Sequence, residues 1–483
     1  MRIRRIRRPD TSDDEVGTHN VAFVLFCAFL LSYFLHLAAR LSVLGLIHID
    51  LLLAGATALA ILFGRPARSV RRAHVSSPWQ QMDPVAIRLW TLVGYIFVTL
   101  PFVEWPGSVL HNLEPFAKSL CFFFFVVATV DTTRKLKVLL AVYVFTQLWR
   151  VLEPLYLHVR FGYWGGLTTL GNWETMDRLS GAPADIINAN GLGFVIILTL
   201  PMLHFLIRPD NLVRRLIWAG IAVAMCYALV LSASRSGFLG FVFLCLFVIW
   251  RSKHRAALLA AAVLGVIIAL SLMTGLQKDR YRSIVSSTAP GAATAQARIE
   301  GVIGDFKVSL HRPFFGHGLG TSAEANANFG TTWLLSHDLY TETAEELGYV
   351  GLVLLLALIW SFMRACQIAQ RVTSAVGDAD ERLKFLRTVA RSLVVVVAVD
   401  LFFSFAAFGL SEPYWYLYGG LTVVTARLAL KFAPEAAREN GLAFAAGKPR
   451  QGFRGRRAGR APAHGRRVPS AARLSGVTPP DRT

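Results

Sequence analysis

Charge is scarce along this sequence. Asp, Glu, Lys and Arg make up only 17% of its 483 residues, against about 25% in an ordinary soluble domain, and the mean hydropathy is +0.49. That balance argues against a soluble globular class. Cysteine is scarce too: Cys27, Cys121, Cys226, Cys245 and Cys366 are the five. None falls in a long loop and no CxxC spacing occurs, so neither a disulfide framework nor a cysteine metal or redox site is expected. Polar/apolar alternation is missing from the apolar stretches, which argues against a membrane barrel. Acidic residues are outnumbered, 30 to 50, and the net charge is +20. The basic residues sit in short loops and in a Gly/Pro/Arg/Ala-rich tail, "GKPRQGFRGRRAGRAPAHGRR". That pattern fits contact with anionic lipid headgroups and topology anchoring better than nucleic-acid binding.

What is present is a succession of apolar runs of roughly 18 to 22 residues. Each can cross a ~30 Å hydrocarbon core as a helix, and a helix satisfies its own backbone in lipid. Twelve spans are expected, near 21–39, 42–63, 86–103, 115–130, 136–157, 191–207, 213–233, 236–250, 256–274, 346–363, 392–409 and 414–431. The fold class is therefore an all-α polytopic membrane protein. A basic N-terminal segment, 1–20, precedes a membrane domain, 21–433, and a basic, disordered tail, 434–483, follows. "MRIRRIRR" opens the chain, but no small-residue cleavage site follows, so a signal peptide is not expected. Lys/Arg bias orients the chain. With both termini in the cytoplasm, "RPARSVRRAH", "TTRKLK", "RPDNLVRR", "RSKHR" and the region from Arg364 to Arg391 face inward. Two long loops, 158–190 and 275–345, then face outward, the second carrying short amphipathic helices. No internal repeat of the transporter kind is visible.

Polar residues collect on that outward side. Arg235 falls in the turn between the seventh and eighth spans, inside "LVLSASRSGF". Arg178, Asn188 and Asn190 lie at the mouth of the sixth span. Asn190 reads either as a helix cap or as part of a site, and Arg178 either as a solvated loop charge or as a ligand. "TAQARIEGVIGDFKVSLHRP" reads as an amphipathic helix with Ile299, Val302, Ile303, Phe306 and Leu310 in one stripe, lying on the membrane or against the bundle. It carries Arg298. "FFGHGLG" follows; its glycines imply tight backbone, a phosphate loop is disfavoured because no Lys-Ser/Thr follows, and His317 reads as a loop residue. His337, Thr341, Glu345 and Gly348 share one face of the next helix if it starts with Ser336 as its cap and Asp338 at its positive end. His337 with a carboxylate nearby can act as a general base, and it has no partner at metal-ligand spacing. Arginines on the outer side run against the positive-inside bias and call for an anion. Carboxylates nearby are few and mostly in other segments, and diphosphate suits guanidinium forks.

These residues resemble the O-antigen ligases and the related polysaccharide polymerases of the bacterial plasma membrane. The resemblance spans about 180–360. It rests on "RLSG…NANGLG", "SASRSG", the long outer loop with Arg298, "HRPFFGHGLG" and "HDLYTETAEELGYVGL". In the last, His337, Asp338, Gly348 and Gly351 match a His–polar–nine residues–Gly–two residues–Gly pattern, with Asp338 in place of the usual Asn, Ser or Gln. The resemblance implies a GT-C-like, metal-independent, inverting glycosyltransferase without cofactor, in the inner membrane with its site at the periplasmic face. Its donor would be an undecaprenyl-diphosphate-linked glycan and its acceptor lipid A-core. Arg235 and Arg298 would hold the diphosphate, with Arg178 a weaker contributor; His337 would be the base; and Asp338, Glu345 and Asn190 would support them. A polymerase with the same donor is the nearest alternative. A lipid-linked sugar transporter, using midspan charges such as Asp50 and Asp400, is the alternative of another class.

Overall fold

A computed structural model describes residues 19–64, 83–171, 174–207, 211–286, 289, 292–330, 333–377, 380–407 and 409–439. The N-terminal segment before residue 19, the "RPARSVRRAH" loop and the tail from residue 440 lie outside the described residues. In chain order the elements begin α1 (Asn20–Leu35), α2 (Leu37–Arg40), α3 (Ser42–Leu46), α4 (Ile49–Phe63), α5 (Pro84–Thr99), α6 (Pro106–Thr129) and α7 (Thr133–Phe161). A hairpin follows, β1 (Gly165–Gly171) and β2 (Glu174–Leu179). Then come α8 (Ala189–Ile207), α9 (Leu212–Ser232), α10 (Arg235–Arg251), α11 (Arg255–Leu272), α12 (Gly275–Arg282), α13 (Ala292–Ser309) and α14 (Ser322–Phe329). The series ends with α15 (Leu339–Val376), α16 (Glu381–Phe403), α17 (Pro413–Phe432) and α18 (Pro434–Glu439).

The expected spans overlap helices, but the first two are each divided, 21–39 between α1 and α2 and 42–63 between α3 and α4. Among the described residues six helical stretches are long and apolar enough to cross a membrane: Pro84–Phe102, Pro106–Thr129, Thr133–Phe161, Leu212–Ser232, Leu339–Val376 and Glu381–Ala406. The chain is a polytopic helical membrane protein. Two departures concern the expected elements. The loop at 158–190 holds the antiparallel β1–β2 pair, with Gly166 opposite Arg178, so the architecture is not wholly α. The first two spans are both shorter than expected, because the chain breaks at His36 in the first and at His48 in the second, each in left-handed conformation, with α2 and α3 between them.

Small residues set the helix contacts near the site. A side-chain carbon on Gly193 of α8 would lie 3.3 Å from the Gly237 α-carbon of α10, so "NANGLG" and "SASRSG" pack backbone to backbone, as membrane helices do where side chains are small. Ser234 caps α10 by accepting from Gly237 N–H at 3.1 Å. Beneath the hairpin, a buried ion pair fixes the 180–189 turn. Arg150 of α7 forks the Asp185 carboxylate through Nε and Nη2 at 2.8 and 3.1 Å and also donates to the Tyr414 hydroxyl at 3.1 Å. A bidentate pair of this kind fixes direction as well as distance.

Candidate active site

The turn between α9 and α10 is the centre of the site. Ser232 closes α9, Ala233 takes a left-handed φ of 45°, Ser234 caps α10, and Arg235 is its first residue. Arginines from two other segments bond to this turn. Arg178, at the end of β2, donates Nε to the Ser232 carbonyl at 2.8 Å. Arg280, on α12, donates Nε to the Ala233 carbonyl at 2.9 Å. Arg235 itself donates to Ser283 Oγ and Thr294 Oγ1, each at 2.8 Å, which ties α12 and α13 to the turn. Arg298 of α13 lies within electrostatic reach of the other three.

The cluster is short of counter-charge. Arg178, Arg235 and Arg280 are buried, at 7%, 8% and 5% exposure. Arg178 and Arg280 bond only neutral groups among the described residues: Ser232 O and Asn190 Oδ1 for the first, Ala233 O and Thr168 Oγ1 for the second. The Arg298 side chain makes no hydrogen bond or ion pair among the described residues. Burial first, and then the neighbouring Arg280, pull the Arg178 guanidinium down to about 9. Burial and Arg298 pull Arg280 down as well, and burial does the same to Arg298. Guanidinium holds its proton in proteins, so these groups stay charged in surroundings that disfavour the charge, and a nearby anion would favour it.

His337 lies within electrostatic reach of Arg298. It is solvent-exposed and precedes α15 rather than opening it. The cap is Asp338, not the expected Ser336: its carboxylate accepts from the Tyr340 and Thr341 N–H groups at 2.8 and 2.9 Å. Two carboxylate-capped amides are worth more than one hydroxyl contact, which moves the helix start two residues on and leaves His337 off the expected helix face. Partial desolvation by its surroundings, and then Arg298, hold the His337 imidazole below its ordinary value, while Asp305 opposes them. Asp305 is itself buried on α13, accepting from Asn326 Nδ2 at 2.9 Å and Thr341 Oγ1 at 3.4 Å. Burial pushes the Asp338 carboxyl up, against the helix amides that pull it down.

Two expectations are corrected here. Asn190 does not cap α8. Asn188 does, accepting from the Asn190 and Gly191 N–H groups at 3.0 and 2.9 Å, and Asn190 Oδ1 instead accepts from Arg178 Nη2 at 2.8 Å. Glu345 is fully buried with no hydrogen-bond partner on either oxygen, His337 included; the break in α15 at Gly348, with φ 70° and ψ 178°, also ends the expected i to i+11 face. His317 lies in the loop between α13 and α14, as expected, and is buried there. Its Nδ1 lies 3.3 Å from Glu104 Oε2, and its ring packs on Trp105 and Phe329.

The glycine-rich turn is a packing device. His317 N–H donates to Glu345 O, Gly318 N–H to Glu346 O and Gly320 N–H to Glu346 Oε2, at 2.9, 2.8 and 2.7 Å. Those amides are engaged by α15 and make no anion cradle. The amphipathic helix forms as expected, but it buries Asp305, Val308 and Ser309, while Ile299, Ile303, Phe306 and Leu310 of the apolar stripe are about half exposed. Of the residues singled out from sequence, Arg178, Arg235 and Arg298 come together, with His337 coupled through Arg298. Arg280 was not anticipated. The sign that could have found it is "GLQKDRYR", a basic helix in the loop expected to face outward.

Residues 220–356 match a family model, Wzy_C, described as O-antigen ligase. This segment is O-antigen-ligase-like. The match covers under a third of the chain and includes Arg235, Arg280, Arg298 and His337, while Arg178 and Asn190 lie before it. No curated protein matches the chain. The O-antigen-ligase-like segment thus contains the turn, both helices tied to it, and the His337 approach to α15, which agrees with the resemblance read from the motifs.

Proposed function

We propose that the protein transfers a glycan from an undecaprenyl-diphosphate carrier to an acceptor hydroxyl, as an O-antigen ligase does with lipid A-core. The single observation that carries this reading is the set of four guanidiniums around the α9–α10 turn, three of them without a carboxylate partner among the described residues. Twelve helices cross the inner membrane, both termini are cytoplasmic, and the turn faces the periplasm. The exposed stripe of α13, with Ile303 and Phe306, rests on the outer leaflet.

In this reading Arg235, Arg280 and Arg298 hold the diphosphate, while Arg178, kept in place by Asn190, adds its charge from behind. The acceptor oxygen attacks the anomeric carbon opposite the phosphate oxygen. The carbon–oxygen bond to phosphate breaks with its electron pair leaving on the diphosphate, and the configuration inverts. Negative charge grows on the departing phosphate, where fixed cations in a partly buried site act most strongly. The proton of the acceptor hydroxyl passes to His337, whose neutral form is favoured by Arg298 beside it. Asp338 positions His337 by fixing the start of α15.

The test is transfer by purified protein from a synthetic undecaprenyl-diphosphate glycan in detergent. Arg235→Ala and His337→Ala should each lose at least about 100-fold in rate, the scale of one charge-stabilising group or one general base; full activity in both sinks the site assignment. Gene deletion separates the two acceptors. Loss of a ligase leaves bare core and carrier-linked polymer; loss of a polymerase leaves core bearing one repeat. The transport reading has little behind it, since Asp50 is bonded to Ser32 at 2.6 Å and the cavity at Asp400 measures only 20 Å³.

A further inference from the structure

We infer that the cavity between the β1–β2 hairpin and the 180–189 turn is a subsite for a pyranose ring of the glycan, next to the cation cluster. The inference rests on the transfer reading above and adds to it where the sugar lies. The cavity measures about 320 Å³, at the small end of ligand pockets, which run from about 300 to 1,000 Å³. That is room for one or two sugar rings and not for a lipid tail.

Its walls fit carbohydrate chemistry. One part is polar: Tyr163 hydroxyl donates to the Gly181 carbonyl at 2.8 Å, and Ser180 stands beside it. Gly165 keeps the space open, since φ is 77° and a side-chain carbon there would lie 2.3 Å from the Tyr163 hydroxyl oxygen and 2.6 Å from Ser180 Oγ. Another part is apolar and open to solvent: Leu167 from the hairpin and Ile186 from the turn are 67% and 79% exposed. A pyranose has hydroxyls around its edge and C–H groups on its faces, so it can use both kinds of wall at once. The turn is held from beneath by the Arg150–Asp185 fork, which makes the cavity preformed, and preformed sites bind with less ordering cost.

Position ties the cavity to the reaction. Arg178 lines it, and the Arg178 guanidinium bonds Ser232 of the α9–α10 turn and Asn190. One residue therefore separates the cavity from the cluster that takes the diphosphate. A sugar bonded to the diphosphate, or the acceptor sugar that attacks it, must lie within a few bonds of that cluster.

The experiment uses the full chain carrying Leu167→Ser and Ile186→Ser together, two exposed positions whose change leaves the core intact. Steady-state transfer gives the KM of the undecaprenyl-diphosphate glycan and of the acceptor. Inhibition by sugar-less undecaprenyl diphosphate gives its Ki. The expected result is a rise of about tenfold in one KM, as two apolar contacts of roughly 0.7 kcal/mol each imply, with Ki within twofold of wild type. A rise in donor KM assigns the ring to the donor, and a rise in acceptor KM assigns it to the acceptor. Unchanged KM values, or a Ki that rises in step with KM, overturn the subsite. If the wild type transfers nothing, the transfer reading fails, and saturation-transfer NMR with the glycan cut from its carrier tests the cavity separately. Saturation by wild type that the double variant loses supports it; equal saturation overturns it.

Discussion

Arg235 and Arg280 show how differently two equivalent side chains advertise themselves. Arg235 is a lone charge among small residues between two apolar runs, and burial of such a charge needs an explanation. Arg280 sits in "GLQKDRYR" among other charges, where a solvated face is the ordinary reading; only its bond to the Ala233 carbonyl brings it to the site. If both serve the diphosphate, Arg280→Gln should slow transfer by about 10- to 100-fold, the range for one charge-assisted contact, while Lys278→Gln on the same helix changes little. Equal loss in the two variants would reduce α12 to a general positive surface. His337 gives a pH test. As a base it must be neutral, so kcat/KM falls as pH drops through its pKa, which partial desolvation and then Arg298 hold below the ordinary histidine value and Asp305 raises. Arg298→Gln should therefore move the acid limb to higher pH and Asp305→Asn to lower pH, with Asp338, the adjacent charge, unchanged in both. Limbs that move together, or not at all, contradict this electrostatic coupling.

At the scale of elements, the apolar helices were legible because a run long enough for the bilayer has few other fates. The hairpin was not. "GGLTTLG" and "ETMDRL" lack clean alternation, and the pairing is fixed by what lies beneath, with Leu179 and Met176 buried. The start of α15 was misread by two residues because Ser336 and Asp338 are both good caps. The break inside α15 was invisible because apolar helix continues past it. It is tightly built: Tyr349 N–H donates to the Pro313 carbonyl at 2.7 Å, Tyr95 hydroxyl donates to the Leu347 carbonyl at 3.0 Å, and a side-chain carbon on Gly348 would lie 2.2 Å from the Phe314 carbonyl oxygen. Gly348→Ala then carries about 1 to 3 kcal/mol for placing a side chain at φ 70°, ψ 178°, a region left to glycine, plus that clash. The variant should unfold several degrees below wild type in a thermal melt and lose transfer activity through displacement of Asp338 and His337. A wild-type melt with full activity would mean the break has no positioning role.

For the whole molecule, charge asymmetry and site location must agree. The turn that gathers the arginines and the "RSKHR" turn lie at opposite ends of α10, a helix of 17 residues, so they sit on opposite faces if α10 crosses the membrane. In a background without the five native cysteines, a cysteine at the exposed Ile186 should react with a membrane-impermeant maleimide in spheroplasts. One at the exposed Lys253 should react only after permeabilisation. The reverse pattern would put the site in the cytoplasm and remove a periplasmic acceptor. The account's central claim is that the guanidinium cluster is a diphosphate site, and binding tests it most directly. Purified protein titrated with undecaprenyl diphosphate should saturate, with affinity about tenfold or more weaker for each of Arg235→Gln, Arg280→Gln and Arg298→Gln and no comparable binding of undecaprenol. Equal binding of the diphosphate and the alcohol, or affinities indifferent to all three substitutions, would contradict it.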